Sequence, residues 1–136
     1  MQTGLRTNID LLIKNGRIRT MDAQDHVFDP GAIAIDQGEI IAIGSQSEIV
    51  SQFTAHQTWD AEEKLIMPGF INTHAHLFQT FLRGMGKDLP LVDWLKASVR
   101  SHTPYLLEED CYLAALVGCM DAVRSGTTTL LDYMYV

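Results

Sequence analysis

The sequence predicts an α/β protein in which a small antiparallel β unit precedes a strand–helix–helix–strand unit. Before Pro68, short apolar runs alternate with turn residues, which is typical of strands. After Pro68, β-branched runs alternate with apolar positions at helical spacing. Hydrophobic residues make up 46% and charged residues 20% of the 136 residues, as in globular domains with a sizeable core. We therefore predict a β-domain over residues 1–66 and an α/β part over residues 67–136.

The first unit contains two short signals for β-hairpins. Asn15-Gly16 and Asp36-Gln37-Gly38 each lie between two apolar runs, and such turn residues favour a tight reversal of the chain. The predicted elements are, in chain order, strands over residues 9–14, 17–21, 31–35 and 39–43, one helical turn over residues 47–53 and a strand over residues 58–66.

The second unit is predicted to hold two strands joined by two helices. Its elements are a strand over residues 69–76, a glycine-containing loop over residues 84–86, helices over residues 91–99 and 107–125, and a buried strand over residues 127–132. The longer helix has Glu108, Glu109 and Asp110 in its first turn, where the helix dipole favours acidic groups. Gly126 directly follows it, as is typical of a helix end. A strand–helix–strand order predicts that the two strands are parallel.

Charge and hydropathy exclude several classes of partner. The net charge of -7 argues against nucleic acid and anionic membrane surfaces, since both favour a basic face. The sequence has no apolar run near the ~20 residues of a membrane span and no signal-peptide core, so we expect a cytoplasmic protein.

Cys111 and Cys119 lie ~12 Å apart along a predicted helix, beyond the reach of a disulfide. We expect both to be buried thiols.

His74 and His76 are the candidate metal ligands. Residues i and i+2 of a strand point to the same face, so both imidazoles are expected on one side of the predicted strand. Neutral imidazole is the commonest metal ligand, and two on one strand supply half of a tetrahedral site. A bare His-x-His pair is also compatible with two partly exposed strand histidines.

Several motifs together carry a family resemblance. They are residues 60–61 (DA), 65–76 (LIMPGFINTHAH), 82–84 (LRG), 89–91 (LPL), 93–95 (DWL) and 125–129 (SGTTT), followed by Asp132. In this order and spacing the chain resembles the start of an amidohydrolase-superfamily enzyme. It is most similar to the aminohydrolase and chlorohydrolase branch, which includes S-adenosylhomocysteine/methylthioadenosine deaminases, 8-oxoguanine deaminases and triazine hydrolases.

The resemblance implies the beginning of a (β/α)₈ TIM barrel, preceded by a small antiparallel β-sandwich-type domain that is part of a composite sandwich. It implies one divalent metal, Zn²⁺ rather than Fe²⁺, with His74 and His76 as the first two ligands. The acid–base groups belong to later strands, so no catalytic residue is assigned here. A full barrel takes ~250 residues. We therefore expect the chain to be a truncated N-terminal piece that is inactive alone.

Three further residues are candidates for substrate binding. Gln79 matches a glutamine that faces the substrate in some members of the branch, or it is a solvated loop residue. Arg83 either holds a substrate carboxylate or forms a surface salt bridge. Asp93 matches a glutamate that binds ribose hydroxyls, although its side chain is one methylene shorter, or it is an exposed helix carboxylate. For Asp132 we expect a structural hydrogen bond rather than metal ligation, and for Trp94 a place in the core.

The function implied by the resemblance is hydrolytic. A metal-activated hydroxide would deaminate, or dechlorinate, a heterocycle such as a purine, nucleoside or triazine. The expected partners are this small molecule and further copies of the chain, because open parallel strands rarely stay uncovered. Two alternatives remain open, namely a dihydroorotase-like cyclic-amide hydrolase with a two-metal site, and a non-catalytic fragment.

Overall fold

A computed structural model describes residues 6–135 of the chain. The chain divides into two compact units, Met1–Pro68 and Gly69–Val136. Each unit has a hydrophobic core of its own. No helix in the described part of the chain is long and apolar enough to cross a bilayer.

The first unit is built on one five-stranded sheet with a single short helix. Its elements are β1 (Thr7–Arg19), β2 (Val27–Asp36), β3 (Glu39–Ser45), α1 (Gln46–Gln52), β4 (Phe53–Asp60) and β5 (Leu65–Ile66). The strand order is β3-β2-β1-β4, and β5 pairs with β1 beyond the end of β4. The prediction of an antiparallel unit is wrong in part, because β4 and β5 run parallel to β1. The helix α1 allows this, since it carries the chain back so that β4 starts in the same direction as β1.

The predicted hairpin at Asn15-Gly16 is also wrong, because β1 runs through both residues without reversing. Asn15 has the left-handed φ of 64° that a turn would use. The register between β1 and β2 shifts on both sides of Gly16, so the pair forms a bulge instead. Its bulge is held by Gln46 Oε1, which accepts from the Asn15 N–H at 2.6 Å, and by Asp60 Oδ1, which accepts from Asn15 Nδ2 at 3.0 Å.

Other predicted elements of this unit are confirmed. β2 and β3 form an antiparallel hairpin through Gln37 and Gly38, whose φ values of 50° and 81° suit a two-residue turn. The helical turn predicted over residues 47–53 is α1. The predicted strand over residues 58–66 is interrupted, because Lys64 N–H donates to Ala61 O at 3.0 Å and closes a turn between β4 and β5.

The core of the first unit lies between the sheet and α1. It consists of Ile9, Leu12, Ala32, Ala34 and Ile49, and all five are at most 6% exposed. Burial of a side chain such as Ile49 contributes about 1.5–3 kcal/mol. This residue is the one buried position of α1, so it fixes the helix on the sheet.

The second unit combines a two-stranded sheet with helical segments. Its elements are β6 (Phe70–Ala75), a 3₁₀ helix (Leu77–Leu82), α2 (Leu91–Trp94), a π-helical segment (Leu95–Val99), α3 (Arg100–His102), a 3₁₀ turn (Thr103–Tyr105), α4 (Glu108–Arg124) and β7 (Thr127–Asp132). β6 and β7 are parallel, as predicted. Gly126 has a φ of 82°, which confirms the expected left-handed helix end.

The core of the second unit gathers around Phe78, Leu82 and Val99, and Trp94 packs against it as expected. Two burial predictions are wrong. Cys119 is exposed, whereas Cys111 is half-buried and packs against the core cluster. β7 is a half-exposed strand rather than a buried one, since β6 is its only strand neighbour among residues 6–135.

Candidate metal centre

The two histidines lie at the carboxyl end of β6. His74 is the penultimate residue of the strand, and His76 directly precedes the 3₁₀ helix with an extended φ of −134°. Their ring centroids are 5.0 Å apart and their planes are nearly perpendicular, at 89°. Both rings also flank the ring of Tyr133, at 5.3 Å for His74 and 5.9 Å for His76. The imidazoles therefore share one side of the backbone, as strand alternation predicts.

A backbone hydrogen bond orients the ring of His76. Its Nδ1 lies 2.9 Å from the carbonyl oxygen of Tyr133. A carbonyl oxygen can only accept, so Nδ1 must carry the proton in this hydrogen bond. The lone pair of the neutral ring is then on Nε2, which is the atom left for a metal.

The segment after β6 is tied to the end of β7. Asp132 is the last residue of β7, and its Oδ1 accepts from the backbone N–H of Leu77 at 3.0 Å. Tyr133 N–H donates to Ala75 O at 2.8 Å. The structural hydrogen bond expected for Asp132 is thereby confirmed.

Of the three predicted substrate-binding residues, one contacts this region. Gln79 Nε2 donates to the hydroxyl of Tyr135 at 2.5 Å, and the ring of Tyr135 lies 5.4 Å from that of His76. Gln79 and Arg83 line an open cavity of about 540 Å³ that Trp94 also borders.

The other two residues have surface partners. The guanidinium of Arg83 lies 2.5 Å from the carboxylate of Asp121, with both side chains about half exposed or more. Asp93 is paired with Lys96 at 3.7 Å on an exposed helix face. Exposed ion pairs of this kind contribute little to stability. That Arg83 and Asp93 bind substrate stays a prediction.

The donor set fits half of a metal site. Two neutral imidazoles suit Zn²⁺ and Fe²⁺ alike. Within residues 6–135, no group of three or more His, Cys, Asp or Glu side chains is arranged to hold a metal ion. A catalytic zinc site usually takes three protein ligands. The described residues therefore offer two donors, and at least one more is needed to complete a site.

The sequence interpretation missed Tyr133 and Tyr135. Tyr133 acts through its backbone carbonyl, which no residue type signals, and Tyr135 acts through its ring and hydroxyl. The predicted parallel pairing contained the necessary signal, because the residues that follow two parallel strands emerge at the same edge of the sheet.

Comparison with known proteins decides the family. The model of the amidohydrolase family matches residues 65–136, which include the whole of β6, α4 and β7. The chain belongs to the amidohydrolase family. The resemblance read from residues 65–76 is thereby confirmed.

Curated relatives of this amidohydrolase chain include adenosine-type deaminases. It is 40% identical over 127 residues to a 5-methylthioadenosine/S-adenosylhomocysteine deaminase of Syntrophobacter fumaroxidans, with 93% of this chain and 29% of the relative covered. It is 35% identical over 128 residues to a 5′-deoxyadenosine deaminase of Methanosarcina barkeri, with 93% and 29% covered. The chain thus spans about three-tenths of the length of these relatives.

Solved structures show the same fold. An adenosine deaminase of Xanthomonas campestris, crystallised with bound zinc, is 26% identical and superposes with a TM-score of 0.85 over 95% of this chain and 30% of its own. A triazine hydrolase of Arthrobacter aurescens is 22% identical, with a TM-score of 0.76 over 91% of this chain and 28% of its own. The second likeness concerns the fold alone.

Proposed function

We propose that this chain is the metal-ligating beginning of a hydrolase that deaminates an adenosine-type nucleoside. His74 and His76 are its two metal ligands, and Zn²⁺ is the metal. The observation that carries the proposal is the juxtaposition of the two imidazoles at the end of β6, with the protonated Nδ1 of His76 turned to a carbonyl and Nε2 free.

Similarity supports the substrate class. The relatives at 40% and 35% identity are deaminases of 5-methylthioadenosine, S-adenosylhomocysteine and 5′-deoxyadenosine. Adenine joined to a ribose that lacks the 5′-hydroxyl is common to these three substrates. A triazine substrate, with chloride as leaving group, has only the fold-level likeness in its favour.

The chain's own residues would hold and orient the metal. His74 and His76 bind it, and the Tyr133 carbonyl keeps the His76 ring in one orientation. Bound Zn²⁺ lowers the pKa of water so that hydroxide is available near neutral pH. Gln79 lies at the edge of this region through its hydrogen bond to Tyr135, so we assign it to substrate contact.

The remaining parts of the site are proposed to lie on further strand–helix units of a (β/α)₈ barrel. Two ligands do not make a stable catalytic site, so the 136-residue chain is inactive by itself. The first unit is proposed to be part of a β-sandwich. A cytoplasmic location and a homo-oligomeric state stay predictions.

The test uses the protein that carries this chain, expressed from its complete reading frame. A panel of 5-methylthioadenosine, S-adenosylhomocysteine, 5′-deoxyadenosine, guanine and a chlorotriazine is assayed for release of ammonia or chloride. We expect ammonia from the adenosine-type substrates and about one zinc per chain. His74→Ala and His76→Ala are expected to lower activity at least as much as the loss of a partner that orients a ligand does, by about 100-fold, and to lower zinc content well below one per chain.

A matched control is His56→Ala, because His56 is an exposed histidine of β4 in the other unit. This variant should keep its zinc and its activity. Two metals per chain, or activity only on a cyclic amide, would contradict the proposal and favour the dihydroorotase-like alternative. Full activity of both histidine variants would refute the ligand assignment.

A further inference from the structure

Three consecutive residues at the end of β6 are hydrogen-bonded to two consecutive residues at the end of β7. Ala75 O accepts from Tyr133 N–H at 2.8 Å, His76 Nδ1–H donates to Tyr133 O at 2.9 Å, and Leu77 N–H donates to Asp132 Oδ1 at 3.0 Å. We call these three hydrogen bonds the strand-end clasp. The candidate ligand His76 is its central member.

We propose that Asp132 is a positioning residue, which through the strand-end clasp holds His76 in the Nδ1–H tautomer with Nε2 free. This proposal rests on the proposed function in one respect: Asp132 affects metal binding only if His76 is a metal ligand. The hydrogen bond of the Asp132 side chain is to the peptide of Leu77 and not to an imidazole. It acts on His76 by fixing the peptide that follows this residue.

Only one hydrogen bond of the strand-end clasp depends on the side chain of Asp132. Two of the three hydrogen bonds join backbone to backbone or ring to backbone, whereas the bond to Leu77 N–H depends on the carboxylate of Asp132. The backbone N–H of Leu77 is partly buried, so loss of its acceptor leaves a donor unsatisfied, which costs free energy. This cost favours a movement of the first residues of the 3₁₀ helix, by which the N–H reaches another acceptor. Such a movement changes the distance from His76 Nδ1 to the carbonyl of Tyr133.

The packing around the strand-end clasp makes the position of the His76 ring depend on the peptide between His76 and Leu77. The Tyr133 ring lies against both imidazoles, and the Tyr135 ring lies 5.4 Å from His76 and 4.8 Å from the buried Phe78. His76 is therefore bordered by aromatic rings on the β7 side. Its hydrogen-bonding partner there is a single carbonyl oxygen.

The first experiment measures the tautomer of His76 by long-range proton–nitrogen NMR in the metal-free protein, expressed from its complete reading frame with ¹⁵N-labelled histidine. The pH is raised until the ring resonances no longer change with pH, so that the neutral form is observed. We expect the Nδ1–H form to dominate in the wild type. Asp132→Ala should remove this preference, and Asp132→Asn, which keeps an oxygen acceptor of the same shape, should restore it.

The second experiment measures the Zn²⁺ affinity of the same variants by titration calorimetry, in the protein expressed from its complete reading frame, because two ligands alone do not make a stable site. Loss of an orienting partner typically weakens metal binding by 10–100-fold, and we expect about tenfold for Asp132→Ala and less than twofold for Asp132→Asn. The matched control is Asp121→Ala, which removes an exposed carboxylate of α4 that pairs with Arg83. It should leave both the tautomer and the Zn²⁺ affinity unchanged.

The outcomes separate the two proposals. An Nε2–H tautomer in the wild type, or an Asp132→Ala variant with wild-type tautomer and affinity, overturns the positioning role. If Asp132→Ala fails to fold, Asp132→Leu, which is close to aspartate in size but has no acceptor, takes its place with the same expected results. Equal Zn²⁺ affinity of the wild type and His76→Ala would instead refute the metal role of His76, and the tautomer measurement would then decide the positioning role alone.

Discussion

Replacement of Gly69 by alanine should strongly destabilise the second unit. Gly69 directly precedes β6, and a Cβ built there would lie 2.2 Å from Cγ2, 2.4 Å from Oγ1 and 2.8 Å from Cβ of Thr128 on β7. Ordinary contacts between carbon atoms are about 3.5–4.0 Å. Rotation of the Thr128 side chain moves Cγ2 and Oγ1 away but leaves its Cβ in place, so the two strands must also separate.

The magnitude follows from this forced separation. Overpacking typically costs 1–3 kcal/mol, and we expect about 2–3 kcal/mol for Gly69→Ala because backbone has to move. For a unit of this size, that corresponds to a fall in Tm of roughly 8–24 °C. The assay is thermal and urea unfolding, followed by the fluorescence of Trp94 in a Trp59→Phe background.

This background is suitable because the two tryptophans of the chain lie in different units. Trp59 is 57% exposed, so its replacement should cost little. Thr128→Ala is the matched partner variant, and in the double variant it removes the two closest atoms. The double variant should regain more than half of the lost stability. A Gly69→Ala protein within about 0.5 kcal/mol of the wild type would refute the reasoning.

Three further predictions concern other parts of the fold. Gly118→Ala on α4 places a Cβ 2.8 Å from Cδ2 of Leu77, and we expect a net loss of about 1 kcal/mol in urea unfolding, because overpacking exceeds the gain in helix propensity. Asn15→Val should lower the stability of the first unit by about 1–2 kcal/mol, and Asn15→Gly by much less, because φ is 64°. The hydrogen bond from His26 is the main cause that lowers the pKa of Asp22 to about 2. The stability that this bond contributes is therefore complete above the ordinary pKa of 3.8 and is lost as pH falls towards 2, and His26→Ala should raise the midpoint of the Asp22 carboxyl in an NMR titration.

Turn residues correctly predicted the hairpin at Gln37-Gly38, but at Asn15-Gly16 they predicted a hairpin where the structure has a bulge. Gln37 and Gly38 have the left-handed φ values that their residue types favour, and the chain reverses there. Asn15 has the same local conformation, yet the chain continues. The difference is set by β2, which pairs with residues 11–19 of β1 and so takes the place that a returning strand would need. Sequence next to the turn contains no information on this distant partner.

The parallel pairing of β4 with β1 was unpredictable for a related reason. Residues 53–60 have an exposed face and an alternation that fits either direction of pairing. The short helix α1 decides the direction, and its length of seven residues gave only a weak signal.

The candidate site was predicted where one element determines it and missed where two elements do. The shared side of His74 and His76 follows from strand alternation alone. The partners of His76 and Leu77, by contrast, come from residues 132–133 on another strand. For Arg83 and Asp93, the structure shows surface ion pairs, which helix spacing alone predicts only for Asp93 and Lys96.

The hydrogen bond that orients His76 joins residues 57 positions apart. During synthesis at about 5–20 residues per second, the imidazole therefore waits roughly 3–11 s before its carbonyl partner has even been polymerised. Until then the His76 ring is free to adopt both tautomers, and either nitrogen can bind a metal ion from solution. Loading with the correct metal is thus expected to follow the synthesis of β7 rather than that of β6.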